Sequence, residues 1–432
     1  MISGRREGAG ALPAGPRGLL LAWATVTILA LSGGVDRAQG GSIDLAYLQN
    51  DLWGQLTLAG SASSAYVYDL TTHQALFSER AGVMRLPASV QKLYTATTAL
   101  ELMGPTARFA TSVLGLGHLA PGGVWDGSLY LRGGGDPTFG SSSFIHNHYG
   151  GLGANVSTLA FELLHVAGIR EVTGSIEGDE SYFDSLRGEP SSEYAHDPFL
   201  EGDLSALAFN RGISGHERGP HAPAAYAARQ LRAALAREGV RVARGSGAGD
   251  TPPAAVTLLQ ASSPTLAQLI GLMLPPSDNF FAEMLAKDLG ARFAGAGTTA
   301  AGAQVVSQTI ARVLDLHPRI LDGSGLSEAD STSVSEVVDL LVGLAGTPTG
   351  VVLRQDMAVA GHTGTLSKRM RHTGAAGRCV GKTGTLTGVS NLVGYCHSSD
   401  DHELAFAIFM DGIPAERAHR FQDHMTITIA DY

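Results

Sequence analysis

Of the 30 Lys and Arg residues in this 432-residue chain, only four are lysines: Lys92, Lys287, Lys368 and Lys382. A chain so biased toward Arg keeps Lys where Arg cannot serve, or by accident. One task Arg cannot perform is to give up its proton. Lys92 closes the tetrad Ser89-Val90-Gln91-Lys92, and on a helix positions i and i+3 share a face. A serine hydroxyl is a weak nucleophile that needs a neighbouring base. Lysine becomes that base once burial or a nearby cation lowers its pKa from about 10.4. A helix start also offers backbone N–H groups to a developing oxyanion. Ser277-Asp278-Asn279 and Lys382-Thr383-Gly384-Thr385 follow in that order. Singly, each of the three has a bland reading: a solvated helix face, an N-cap, an edge strand blunted by Lys. Jointly they are harder to dismiss, because two of the four lysines fall inside them.

Those residues need elements to hold them. Pro87-Ala88-Ser89 opens a predicted helix whose apolar stripe is Val90, Leu93, Thr97, Leu100 and Met103, and Gly104-Pro105 ends it. A helix over 43–56 and strands over 64–70 and 75–77 precede it. Ser277-Asp278-Asn279 leads into a helix over 280–289, and Ser263-Pro264 reads as N-cap and N1 of the helix before that. Strands over 378–385, 389–397 and 403–410 form an antiparallel meander, followed by a closing helix from 414 to about 428. Residues 106–255 differ in texture. Short runs such as 129–131 and 172–177 alternate with Gly-rich turns, a helix is expected at 224–238, and 244–253 (RGSGAGDTPP) reads as a boundary linker. Helices gathered centrally, with strands from both chain ends, imply one α/β domain interrupted by a long insertion. His146-Asn147-His148 reads as loop, with no third metal ligand evident.

Composition sets the outer limits. The chain is 44% apolar and 16% charged, which excludes a disordered or fibrous chain. A net charge of −10 argues against a whole-surface nucleic-acid footprint. Arg5, Arg6 and Arg17 precede a short apolar run at 18–31, and Ala38-Gln39-Gly40 is a plausible cleavage site, so 1–40 reads as a secretory signal peptide. The alternative is an uncleaved anchor. No later segment is long and apolar enough to span a bilayer, so an exported mature protein without an integral membrane span is expected. Cys379 and Cys396 face each other across a hairpin centred near Thr387-Gly388. They either form a disulfide, which an oxidising compartment permits, or remain two buried thiols.

The ordered triplet of motifs is the set found in penicillin-recognising serine enzymes. The chain resembles the low-molecular-mass class C penicillin-binding proteins, the D-alanyl-D-alanine carboxypeptidase/endopeptidase family. The resemblance extends to 129–139 (LYLRGGGDPTF), 178–184 (GDESYFD), 204–210 (LSALAFN), 322–327 (DGSGLS) and 382–395 (KTGTLTGVSNLVGY). It implies a transpeptidase-like core, an antiparallel sheet with helices on both faces, formed by 41–105 and 256–432 and interrupted by a large β-rich inserted region at 106–255. The long interval from Ser89 to Ser277 separates the chain from class A β-lactamases, and no Glu-x-x-Leu-Asn deacylation element is present.

The activity implied is cleavage of peptidoglycan stem peptides through an acyl-enzyme on Ser89, with β-lactams as inhibitors and no metal or organic cofactor. The periplasm or another extracytoplasmic space is the implied setting. A β-lactamase and a non-catalytic penicillin-binding sensor are the competing readings. By the same resemblance Lys92 is the base and the N–H groups of Ser89 and Thr385 hold the oxyanion. Ser277 relays a proton, while Asn279 binds a substrate amide and orients Lys92. Lys382 and Thr383 grip the terminal carboxylate, Gly384 admits the substrate backbone, and Asp179 is the candidate for contacting the free amino end of the stem, the alternative being a solvent-facing turn residue. The chain departs from the family pattern at Thr363, where many members carry Asp.

Overall fold

A computed structural model describes residues 43–213 and 222–432. The expected signal peptide lies outside the described residues. The first described segment runs through α1 (Leu45–Ala59), β1 (Ser63–Asp69), β2 (Gln74–Glu79), a 3-10 turn at Ala88–Val90 and α2 (Gln91–Met103). A second group follows: β3 (Ala110–Ala120), β4 (Val124–Arg132), α3 (Ser142–Tyr149), α4 (Val156–His165), β5 (Glu171–Val172), β6 (Ile176–Asp179), α5 (Pro223–Arg237), β7 (Arg241–Val242), β8 (Ser246–Ala248) and β9 (Val256–Ser262). The chain then returns through α6 (Leu266–Met273), α7 (Asn279–Phe293), α8 (Thr299–Leu314), α9 (Val334–Leu344), α10 (Pro348–Gln355), β10 (Ala358–Val359), β11 (Cys379–Leu386), β12 (Val389–His397), β13 (Glu403–Asp411) and α11 (Ala415–Asp431).

The first sheet has the order β10-β11-β12-β13-β1-β2, antiparallel throughout. Strand β13 shows why both its faces are apolar. Ala405, Ala407 and Phe409 enter one core with α2, α6, α7 and α9, whereas Leu404, Phe406, Ile408 and Met410 enter another with α1 and α11. A strand covered on both sides loses the alternation of a half-exposed one and reads as a continuous apolar run. Gly388, at φ 72, supplies the left-handed residue for the two-residue turn between β11 and β12. Cys379 and Cys396 are register partners across that hairpin and are joined by a disulfide.

The second sheet has the order β7-β5-β4-β3-β9, with β6 pairing β4 and β8. Helices α4 and α5 cover it with Leu159, Leu163, Leu231 and Leu235. Its membership corrects the expected boundary. Strand β9 pairs with β3, so the inserted region runs to Ser262 rather than stopping at 255. The stretch read as a linker contains β8, whose backbone pairs with β6. Such short strands carry too few residues to show a period.

Three local readings also change. Ala88 adopts φ 46, so Pro87-Ala88-Ser89 forms a 3-10 turn and the α-helix begins at Gln91. The N-cap of α6 is Thr265, whose capping box with Gln268 displaces Ser263 from that role. His146 and His148 lie on α3, not in a loop. Among the described residues no single helix is long and apolar enough to cross a membrane.

Candidate active site

Ser89 stands on the 3-10 turn ahead of α2. The left-handed Ala88 before it is a strained position for a residue with a Cβ, and the surroundings hold it there. Asn391 Nδ2 on β12 donates to the carbonyls of Leu86 (2.8 Å) and Pro87 (2.9 Å). A Cβ on Gly384 would come within 2.5 Å of the Pro87 oxygen, and one on Gly325 within 1.9 Å of the Ala88 oxygen. The nucleophile's turn is therefore clamped between β11 and the 322–327 loop. Gly384 is required by this clamp, a demand separate from the expected approach of a substrate backbone.

Lys92 is fully buried. Its Nζ lies 2.8 Å from Ser89 Oγ, 2.6 Å from Asn279 Oδ1 and 2.8 Å from the Ser324 carbonyl. Burial pushes its pKa down to about 8, against the pull of Asp322, Glu283 and Asp278. A count of donors gives the chemistry. A neutral amine has two N–H groups and one lone pair. Asn279 Oδ1 and the Ser324 carbonyl can only accept, so they take both N–H groups. The lone pair is left facing the Ser89 hydroxyl, which donates to it.

Helix α7 brings the second motif to the same amine. Asp278 caps the helix by accepting from Phe281 N–H at 3.0 Å, and it pairs with the buried Arg211. Asn279 thereby opens the helix with Oδ1 on Lys92, while its Nδ2 donates to the Phe199 carbonyl at 2.8 Å. One Asn279 N–H remains for a ligand. Ser277, in the left-handed region at φ 67, turns its hydroxyl to Lys382 Nζ at 2.7 Å.

Strand β11 carries the third motif, and Lys382 points inward from it. It is completely buried, with Nζ donating to Ser277 Oγ and to the Thr383 carbonyl, both at 2.7 Å. Burial, reinforced by Lys92, holds its pKa well below the usual lysine range. Beside it β11 offers two hydroxyls, that of the buried Thr383, bonded to Thr365 at 2.8 Å, and that of the exposed Thr385.

Ser89, Lys92, Ser277, Asn279 and Lys382 are thus brought together. Asp179 does not join them. It is buried, and its two carboxylate oxygens accept from the Ser181 and Thr251 amides, each at 2.9 Å. Burial alone would raise its pKa, but these hydrogen bonds outweigh it and hold the pKa low. Asp179 is a turn-former of the second sheet. His148 stacks on Phe144 with ring centroids 3.9 Å apart, and among the described residues no group of acidic, His or Cys side chains is arranged to hold a metal. Thr363 accepts from Val359 N–H at 2.8 Å, a turn contact that an Asp could also make. Sequence reasoning missed Asn391, Ser324 and Phe199, which act through an amide or a carbonyl. Two of them lay inside quoted motifs, and that was their only signal.

Comparison with known proteins finds relatives over most of the chain. The model of the D-Ala-D-Ala carboxypeptidase 3 (S13) family matches residues 44–212 and 199–432. A D-alanyl-D-alanine carboxypeptidase of Actinomadura sp. (strain R39) is 30% identical, over 94% of this chain and 88% of its own length. Penicillin binding protein 4 (dacB) from Haemophilus influenzae shares the fold. Its crystal structure has a TM-score of 0.71 at 19% identity, covering 89% of this chain and 98% of that one. A complex of that protein with a novel β-lactam gives a TM-score of 0.66 at 18% identity, covering 90% of this chain and 100% of that one.

Proposed function

This chain belongs to the D-Ala-D-Ala carboxypeptidase 3 (S13) family, and we propose that it is a serine carboxypeptidase that cleaves D-Ala-D-Ala ends of peptidoglycan stem peptides through an acyl-enzyme on Ser89. The observation that carries this reading is the buried Lys92 amine, whose Nζ lies 2.8 Å from Ser89 Oγ with the Asn279 and Ser324 oxygens to take its other N–H groups, so that in the neutral form its lone pair is left for the Ser89 hydroxyl. Neutral Lys92 takes the hydroxyl proton as Ser89 Oγ bonds to the carbonyl carbon of the penultimate D-Ala. The oxyanion is held by the N–H groups of Ser89 and Thr385. As the tetrahedral adduct collapses, the C–N bond breaks and the leaving amine takes a proton by way of Ser277. Water then attacks the ester and frees Ser89.

The buried Lys382 keeps the Ser277 hydroxyl oriented and places a basic group beneath β11. The substrate carboxylate meets the Thr383 and Thr385 hydroxyls above it, and the remaining Asn279 N–H serves a substrate amide. A cross-linked stem differs only in its leaving amine, so the same steps give endopeptidase activity. A β-lactam acylates Ser89 likewise and blocks it. Work on peptidoglycan places the enzyme outside the cytoplasm, in keeping with an exported chain.

The test is to label the protein with fluorescent penicillin and to assay D-Ala release from a pentapeptide and from cross-linked muropeptides. Ser89→Ala is expected to abolish labelling and release while leaving the melting temperature unchanged. Labelling that persists would assign the nucleophile elsewhere. Rapid cephalosporin turnover would make the chain a β-lactamase, and labelling without D-Ala release would make it a sensor.

A further inference from the structure

The 322–327 loop is a motif without an assigned role, yet it supplies one of the three partners of Lys92. Its amides are gathered by two buried carboxyl groups. Glu283 lies one turn beyond Asn279 on the same face of α7, and its Oε1 accepts from Gly323 N–H at 2.9 Å and Ser324 N–H at 2.7 Å. Asp322 accepts from Gly325 N–H at 2.6 Å and Ser327 N–H at 2.7 Å. With its amides committed inward, the loop turns its carbonyls to α2. Gly323 receives the Thr95 hydroxyl at 2.8 Å and Ser324 receives Lys92. Glu283 is fully buried, and among the described residues its Oε2 has no hydrogen-bond partner. A carboxyl group in that position stabilises protonated Lys92 whenever it is ionised.

Resting on the reading of Lys92 as the base, we propose that Glu283 is a positioning residue for it. Glu283 fixes the Ser324 carbonyl that receives a Lys92 N–H, and its charge governs how readily Lys92 releases its proton. Asp322, Asp278 and Lys382 also face Lys92, and Asp322, Glu189, Asp330 and Lys287 face Glu283. Burial and Asp322 push the Glu283 carboxyl up to about 8, so it titrates in the same range as Lys92.

Two variants of the full chain separate charge from position, with the rate of penicillin acylation read across pH. Glu283→Gln removes the charge but keeps an acceptor for the two amides. Without the carboxylate, Lys92 is neutral at lower pH. The midpoint of the acidic limb is therefore expected to move toward acid by up to about one unit, with the gain in neutral amine read near and above pH 8, where the parent's Glu283 is ionised, and little change at its foot. Glu283→Asp keeps the charge but withdraws the oxygen by one methylene. Its limb is expected to stay near that of the parent while the plateau falls about tenfold or more.

An unmoved limb in Glu283→Gln overturns the proposal, including when only the melting temperature drops. An undiminished plateau in Glu283→Asp also overturns it, and decides the matter should Glu283→Gln fail to fold. Failure of the underlying reading looks different: Lys92→Gln would still be acylated by penicillin at close to the parent rate.

Discussion

Helices α2 and α7 bury what α4 and α5 avoid. The buried residues of α4 are Val156, Leu159, Ala160 and Leu163, and those of α5 are likewise all apolar, with Arg229, Arg232 and Arg237 turned outward. Helix α2 buries Gln91, Lys92, Thr95, Thr97 and Thr98, and α7 buries Glu283, Lys287 and Asp288. Among the described residues, Gln91, Thr97, Thr98 and Glu283 each have a buried polar atom without a partner, and neither α4 nor α5 has any. Burying such groups costs stability. Stability alone would favour the pattern of α4 and α5 throughout. The catalytic pair departs from it because an uncharged amine has to be made and aimed, which requires burial together with acceptors.

The contrast implies that substitutions near β11 and α2 should harm chemistry first, and those under the second sheet should harm folding first. The largest effect is expected for Gly384→Ala. Its new methyl would meet the Pro87 carbonyl and push the Ser89 turn aside, so acylation should fall by about 100-fold with a stability loss of about 1–3 kcal/mol. Near-normal acylation in a folded protein would show that the clamp is not needed. Leu231→Ala, in the core of the second sheet, is expected to cost about 2–5 kcal/mol in a denaturation curve, with acylation by the folded fraction within a few-fold of the parent. A collapse of that rate would erase the contrast. The smallest effect is expected for Thr363→Asp, which restores the common family residue at an exposed turn. Stability should change by no more than about 0.5 kcal/mol, and a larger loss would mean that the Val359 contact needs a hydroxyl.

The same contrast explains what could be read from sequence. The three motifs stood out because their chemistry depends on residue type, and the 379–411 meander because its turns are marked and β13 is an almost continuous apolar run. Burial of Lys382 was not legible, since a lysine on a strand looks the same whether it lies outside or beneath the pocket. Nor was the support from Asn391, which reaches Leu86 across 305 residues, or from Ser324, which contributes only a carbonyl. The limit of the inserted region was misplaced by the seven residues of β9. Its partner β3 lies far back in the chain, and the preceding Gly- and Pro-rich run hides a three-residue strand. Asp179, also in a quoted motif, has its carboxylate engaged by the Ser181 and Thr251 amides and by Arg132, partners that its position in the sequence did not reveal.

The first sheet is closed by the two ends of the chain. Strand β1 lies against β13, α1 packs on α11, and Arg85 is paired with Asp411, 326 residues later. A polypeptide emerges from one end only, so the serine is delivered long before the strand that supports its turn. Until the last hairpin arrives, the turn that carries Ser89 lacks the Asn391 amide and the close approach of Gly384 that hold it, so the nucleophile's backbone is set only after most of the chain has been made.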